Sequence, residues 1–221
     1  MCGRYTLTAP EGALVEAFDV PSLTFDLQPR YNIAPGQPCP VVGEDREGRR
    51  IGLLEWGLLP AWKDEPKGPF INARAESVAT KASFRDAFRR RRCLIPADGF
   101  YEWKTEDGKK RPYWLHPSDE GLLSFAGIWE SWSRPGQEPR HGFAILTTDA
   151  NAEVSQIHDR MPVIVEAGDR DAWLSRTSEA GALQRLTRPA PAGTLRLRPV
   201  SARVNRPSED GPELLEPVAD D

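Results

Sequence analysis

Twenty-one prolines and eighteen glycines are spread along the whole of this 221-residue chain, and punctuation that dense forces many short elements joined by turns. Apolar and β-branched runs predict strands over about 3–7, 41–42, 51–56, 93–95, 99–104, 113–116, 122–129, 142–147, 161–165 and 195–200. Asp107-Gly108 supplies a hairpin turn between two of them. Helical signals are fewer. Thr8-Ala9-Pro10-Glu11 reads as a capping box with proline in the first turn, opening a short helix through Phe18. Ser83 is placed to cap a basic helix over about 84–92, with Phe84 and Phe88 four apart on one face. Two further short helices are predicted over about 169–175 and 179–187, and the proline-rich, aperiodic residues 19–40 read as a long loop. Strands outnumber helices and do not alternate with them. The expected class is α+β, with a mainly antiparallel, barrel-like sheet core and short peripheral helices. The expected organisation is one domain over residues 1–218 and an acidic tail at 219–221, with disorder setting in beyond Pro217.

No run of eighteen apolar residues occurs, so no helical membrane span is expected. The N-terminus lacks the basic-then-apolar pattern of a signal peptide, and the expected location is the cytoplasm. Cys2, Cys39 and Cys93 are odd in number and far apart, so no disulfide framework is implied. His116, His141 and His158 do not join them in a zinc spacing. Neither a metal nor a cofactor is expected, and Cys39 and Cys93 read as small packing residues.

A net charge of −4 argues against a nucleic-acid partner until its distribution is read. Residues 208–221 hold six acids and no base, so residues 1–207 alone carry +2. Within that body Arg85 and Arg89 to Arg92 make one basic cluster, and Lys104, Lys109, Lys110 and Arg111 make another. Each reads first as a solvated face. Composition permits nucleic-acid binding without requiring it.

Cys2 is the most reactive prospect. Aminopeptidases trim an initial Met when the next residue is small, which would leave Cys2 as a terminal residue with an α-amine and a thiol on adjacent carbons. Their ordinary pKa values, about 8 and about 8.5, leave a useful fraction of each nucleophilic near neutrality. Together they can capture an aldehyde: the amine forms a Schiff base and the thiol closes on it to give a five-membered thiazolidine. The plainer alternative is a small buried residue.

Four other segments place polar groups between apolar ones. Asn72 and Arg74, two apart on an extended chain, share a face and offer an amide and a phosphate-binding fork; a surface loop is the alternative. Glu102 lies among Phe100, Tyr101 and Trp103, where desolvation would suit it to proton transfer, unless it is an exposed residue paired with an arginine. His158, before Asp159-Arg160, could shuttle protons or be structural. Among Trp56, Trp62, Trp103, Trp129 and Trp132 most belong to the core, but one or two at the rim of a basic groove would stack on bases.

Met1-Cys2-Gly3-Arg4, Arg30-Tyr31-Asn32-Ile33-Ala34-Pro35, Trp56-Gly57-Leu58-Leu59-Pro60, Ile71-Asn72-Ala73-Arg74-Ala75-Glu76, Gly99-Phe100-Tyr101-Glu102-Trp103 and His158-Asp159-Arg160-Met161-Pro162 stand in this order along the chain. The set resembles the SRAP family, the SOS response-associated peptidases that act as abasic-site processing proteins, over nearly the whole length. The resemblance implies the SRAP fold and a monomer that engages single-stranded DNA carrying an abasic site, nucleoid-associated when so bound. It implies a crosslink through Cys2, with Asn72 orienting the reacting groups, Glu102 assisting proton transfers and His158 acting at the sugar hydroxyl. Arg4, Arg74 and Arg160 would hold flanking phosphates. Trp62 resembles an aromatic packed near the DNA, although its Trp62-Lys63-Asp64-Glu65 segment is spaced differently from the family's.

Two other readings use the same residues. One is a thiol peptidase that processes its own N-terminus, with Cys2 as nucleophile and Glu102 and His158 as assistants. The other is a non-covalent single-stranded DNA-binding module. It would bind intact and abasic strands equally, and it gives a terminal aminothiol nothing to do.

Overall fold

A computed structural model of the chain describes residues 2–64 and 68–218. In chain order the strands and helices are β1 (Tyr5–Leu7), α1 (Glu11–Phe18), β2 (Arg30–Ile33), β3 (Pro38–Asp45), β4 (Gly48–Trp56), β5 (Asn72–Arg74), α2 (Ala75–Val78) and α3 (Arg85–Arg90). There follow β6 (Arg92–Ala97), β7 (Gly99–Glu106), β8 (Lys109–Pro117), β9 (Leu123–Trp132), β10 (Arg140–Asp149), β11 (Arg160–Pro162), α4 (Arg170–Leu174), α5 (Ala180–Arg185) and β12 (Leu195–Pro199). The α+β expectation holds. No described helix is long and apolar enough to cross a membrane.

Two sheets share the work. One runs β12-β8-β7-β1-β2. The other closes on itself, because β10 pairs with β4 on one side and with β9 on the other, completing the ring β10-β4-β3-β6-β9. Two of the joints in this ring are short: β3 meets β6 at Val42 and Leu94, and β4 meets β10 over two residue pairs. Pairing is antiparallel except where β10 meets β4 and β5. The β4–β10 approach depends on Gly142: a Cβ there would lie 2.2 Å from the Gly57 carbonyl oxygen, closer than any side chain can sit. The Asp107-Gly108 turn forms as the sequence predicts, both residues taking the positive φ that a two-residue hairpin needs.

The core fills the ring and the cleft between the sheets. Tyr5, Trp56, Phe100, Phe125 and Phe143 are fully buried, with Tyr5 edge-on to Trp56 at 5.3 Å between ring centres. Cys39 and Cys93 are packing residues, both buried, and burial holds their thiols well above the ordinary range, Cys39 to about 11. Four of the five tryptophans of the aromatic series are buried or half-buried, and only Trp62 is exposed.

Four local expectations are corrected. Residues 19–40 are not one loop: β2 and the start of β3 lie in them. The capping box does not form. Pro10 occupies the cap position, and the Thr8 hydroxyl instead donates to Asp98 at 2.7 Å. Asp98 also accepts from the Thr6 hydroxyl and the Thr8 and Ala9 backbone N–H groups, so it ties the N-terminal strand to the β6–β7 corner. Ser83 makes no cap to α3; Phe84 stands at that position. Finally, α3 stops at Arg90, and Arg92 opens β6 with its side chain buried.

The acid-rich end of the chain is largely built into the fold; residues 219–221 lie outside the described residues. Asp210 accepts from the Tyr31 and Asn32 N–H groups at 2.5 and 2.8 Å and from Arg30. The Asn32 amide answers by donating to the carbonyls of Val204, Arg206 and Glu209. Asp210→Ala should therefore cost about 2–3 kcal/mol, since a charged acceptor is lost and two strand N–H groups are orphaned. Urea unfolding with an unchanged slope and a lower midpoint would register it; an unchanged midpoint would mean that β2 does not need this strap.

Candidate active site

Strand β1 carries the N-terminus into the interior of the five-stranded sheet. Tyr5 lies opposite Phe100, Thr6 opposite Gly99, and the Tyr101 N–H donates to the Arg4 carbonyl at 3.0 Å. Glu102 follows Tyr101 on β7, and its negative charge is felt at the Cys2 thiol. Both side chains are buried, Cys2 completely and Glu102 to within 3%. Phe100 faces the main core, whereas Tyr101 and Trp103 belong to a smaller cluster on the other side of the sheet, as strand alternation requires. Of the two settings open to Glu102, burial selects the desolvated one.

The Cys2 thiol is pushed far above the ordinary range, chiefly by burial and then by the negative charge of Glu102. It stays protonated at neutral pH, 3.9 Å from the Arg4 carbonyl oxygen. A thiol in that state needs a base to take its proton before it acts as a nucleophile.

Asn72 comes from the other sheet. Strand β5 pairs with β10, setting Asn72 opposite Ile145, and the Asn72 amide donates to the Cys2 carbonyl at 2.9 Å. Its own carbonyl oxygen is buried and has no hydrogen-bond partner among the described residues. The backbone of Cys2 is thus fixed from one sheet, while the carboxylate beside its thiol comes from the other.

His158 and Arg160 border this group from the approach to β11. The Arg160 guanidinium binds Glu76 at 2.7 and 2.9 Å, Asp149 at 2.6 Å and the Thr147 carbonyl at 2.7 Å. Arg160 holds the Glu76 carboxyl below its usual range, and the two acids keep Arg160 charged. Its donors are largely spent inside the protein. The backbone N–H of Arg160 donates to Nδ1 of His158 at 2.9 Å, which makes Nδ1 an acceptor and puts the proton of the neutral ring on Nε2. Asp159 lies equally close to Nδ1 at 2.9 Å, a contact that becomes an ion pair only if the ring is protonated. Through Arg160, His158 is linked to Glu76 on α2, the helix that follows Asn72 and Arg74.

Two arginines remain open. Arg4 is half-buried, its Nε has no partner among the described residues, and burial lowers its pKa without making it neutral. Arg74 is exposed at the cap position of α2. Trp62 stands apart from Cys2, 61% exposed, its indole N–H donating to the Ala82 carbonyl at 3.3 Å. Residue types alone assign no role to Glu76, although it stands two residues beyond Arg74; the fork it offers Arg160 exists only after β5 and β11 fold onto β10.

Comparison with known proteins shows the family and the fold. Over 222 residues the chain is 40% identical to the abasic site processing protein YoqW of Bacillus subtilis, covering 98% of this chain and 99% of that one. It is 31% identical to the abasic site processing protein YedK of Escherichia coli, covering 99% and 100%. A crystal structure of a Bacteroides thetaiotaomicron protein shares the fold with a TM-score of 0.89 at 23% identity, over 99% of this chain and all of that one. The family model described as SOS response associated peptidase (SRAP) matches residues 1–207, and the chain belongs to that family.

Proposed function

We propose that the protein captures the ring-opened aldehyde of an abasic site in single-stranded DNA and becomes covalently joined to it through Cys2. The observation that carries this reading is the buried Cys2–Glu102 neighbourhood with the Cys2 backbone held by Asn72. Removal of Met1 frees the α-amine. Its neutral form adds to the aldehyde carbon, and the carbinolamine loses water to give an iminium. The thiol sulfur then adds to the iminium carbon, the C=N electron pair returns to nitrogen, and the thiol proton passes to Glu102. One C–N and one C–S bond form and one water leaves. Asn72 keeps amine and thiol on one side of the incoming carbon, and its unpartnered carbonyl oxygen accepts a hydrogen bond from the adding amine or a sugar hydroxyl. His158, with its proton on Nε2, serves a sugar hydroxyl as acid or base. Arg4 and Arg74 take the flanking phosphates, and Arg160 acts by fixing Glu76 and the β10–β11 edge.

Ring closure also protects the strand. An iminium acidifies the neighbouring sugar carbon and invites β-elimination; the thiazolidine removes the iminium. The test is a denaturing gel of protein mixed with single-stranded DNA bearing one uracil, with and without uracil-DNA glycosylase. A shifted band that requires the glycosylase and survives denaturation without borohydride is expected. Cys2→Ala should abolish it, and Cys2→Ser should trade stable product for strand scission. No band from protein with a confirmed free Cys2, or a Cys2→Ser product as stable as wild type, overturns the reading.

A second activity is compatible with the same pair: cleavage of the Met1–Cys2 bond by the protein itself, which the proximity of the Cys2 thiol to Glu102 favours. Mass spectrometry of protein made without aminopeptidase activity decides it. Met1 loss that disappears in Glu102→Gln supports self-processing, and retention of Met1 by the wild type excludes it.

A further inference from the structure

The basic run at α3 is not uniform. Ala87 and Phe88 are buried, which turns Arg85, Arg89 and Arg90 outward. Arg91 is paired with Glu130 at 2.6 Å, and Arg92 is consumed by backbone carbonyls of Phe88, Arg89, Trp173 and Ser175. Arg85 lies 3.7 Å from Asp86. Arg89, Arg90 and Arg176 carry no ion pair among the described residues. These three line a cavity of about 480 Å³ floored by Phe88 and Leu183, where the one acid is Glu179. A second cavity of about 360 Å³ meets it at Arg90 and Arg176. There Arg50 already answers Asp45, whose carboxyl is held low in part by Arg50 and Arg176.

A short stretch of chain links this cavity to the site. Arg74 precedes α2, whose four residues rise about 6 Å, and Ala79 immediately beyond α2 forms part of the first cavity's wall. The exposed Trp62 ring is tied to Ala82 on the same connection between α2 and α3. The chain that leaves Arg74 thus carries, within a few residues, the anchor of an exposed indole and the arginines of α3, which with Arg176 set three guanidinium groups with no ion pair among the described residues over an apolar floor. Cations along a groove with an aromatic on its rim are what a single strand needs: phosphates find forks, and bases and sugars find apolar surface.

We propose that Arg89, Arg90 and Arg176 form a phosphate-binding station for the DNA strand beyond the residue held at Cys2. The identity of the occupant rests on the function proposed above. The station lets the protein grip long strands more tightly than short ones without any sequence readout.

The test uses the triple variant R89Q/R90Q/R176Q, with its thermal melt as a check on folding. Fluorescence anisotropy across a salt series would follow unmodified single strands of about 6 and about 25 nucleotides. For the long strand the slope of log affinity against log salt should fall by about 2, from three lost contacts at about 0.7 each, while the short strand binds as to wild type. Arg74→Gln should weaken both lengths. Covalent capture of a short abasic strand should be unchanged in the triple variant. Wild-type affinity for the long strand, or equal loss at both lengths, overturns the station. If wild-type protein captures no abasic strand at all, the proposed chemistry fails, and the length dependence still reports on the station.

Discussion

Glu102→Gln should slow accumulation of the covalent product by about 10²- to 10⁴-fold, the range expected when a positioned general base is removed. The substitution keeps shape and burial but removes the group that takes the thiol proton. Burial and the Glu102 charge both raise the Cys2 pKa, so at neutral pH the wild-type thiol is protonated and needs that base. Without the carboxylate one of the two raising influences is gone, and the thiol pKa moves down while burial still holds it high. The deficit of the variant should therefore narrow as pH rises. Single-turnover crosslinking at several pH values would measure it. A Glu102→Gln protein that captures abasic DNA at the wild-type rate would remove the carboxylate from the mechanism.

Arg92→Met should destabilise the protein by about 3–5 kcal/mol, because several buried carbonyls lose their charged donor at about 1–3 kcal/mol each. The Arg92 guanidinium donates to carbonyls of Phe88, Arg89, Trp173 and Ser175, joining the end of α3 to α4 and the residue after it. Methionine fills much of the space and satisfies none of these acceptors. At about 2–4 °C per kcal/mol for a chain of this size, the melting temperature should drop by about 6–20 °C. A change within 2 °C would mean that water replaces the guanidinium without loss.

Much of this architecture was legible in the residues. Alternating strands and the Asp107-Gly108 turn announce the β7–β8 hairpin, and Phe84 and Phe88 mark the buried face near α3. For Glu102 the residue types left two settings open, and the burial of strand β7 chose between them. What escaped depends on partners distant in sequence. Strand β2 lies among prolines with no periodicity, and its N–H groups are completed by Asp210, 178 and 179 positions away. Thr8 and Ser83 look like caps, but Asp98 offers Thr8 a charged acceptor, which is worth more than a neutral one. The arginines of 89–92 look alike in sequence. Only the start of β6 at Arg92 decides which turn inward, and so which remain available to a ligand.

The strap from Asp210 to β2 also bears on timing. Strand β2 flanks β1, the strand that positions Cys2, yet its hydrogen bonding is complete only when residues 204–210 arrive. At about 5–20 residues per second of synthesis, those residues follow Asn32 by roughly 9–36 s. A nascent chain on the ribosome thus carries its aminothiol on an unfinished sheet until residues 204–210 have emerged.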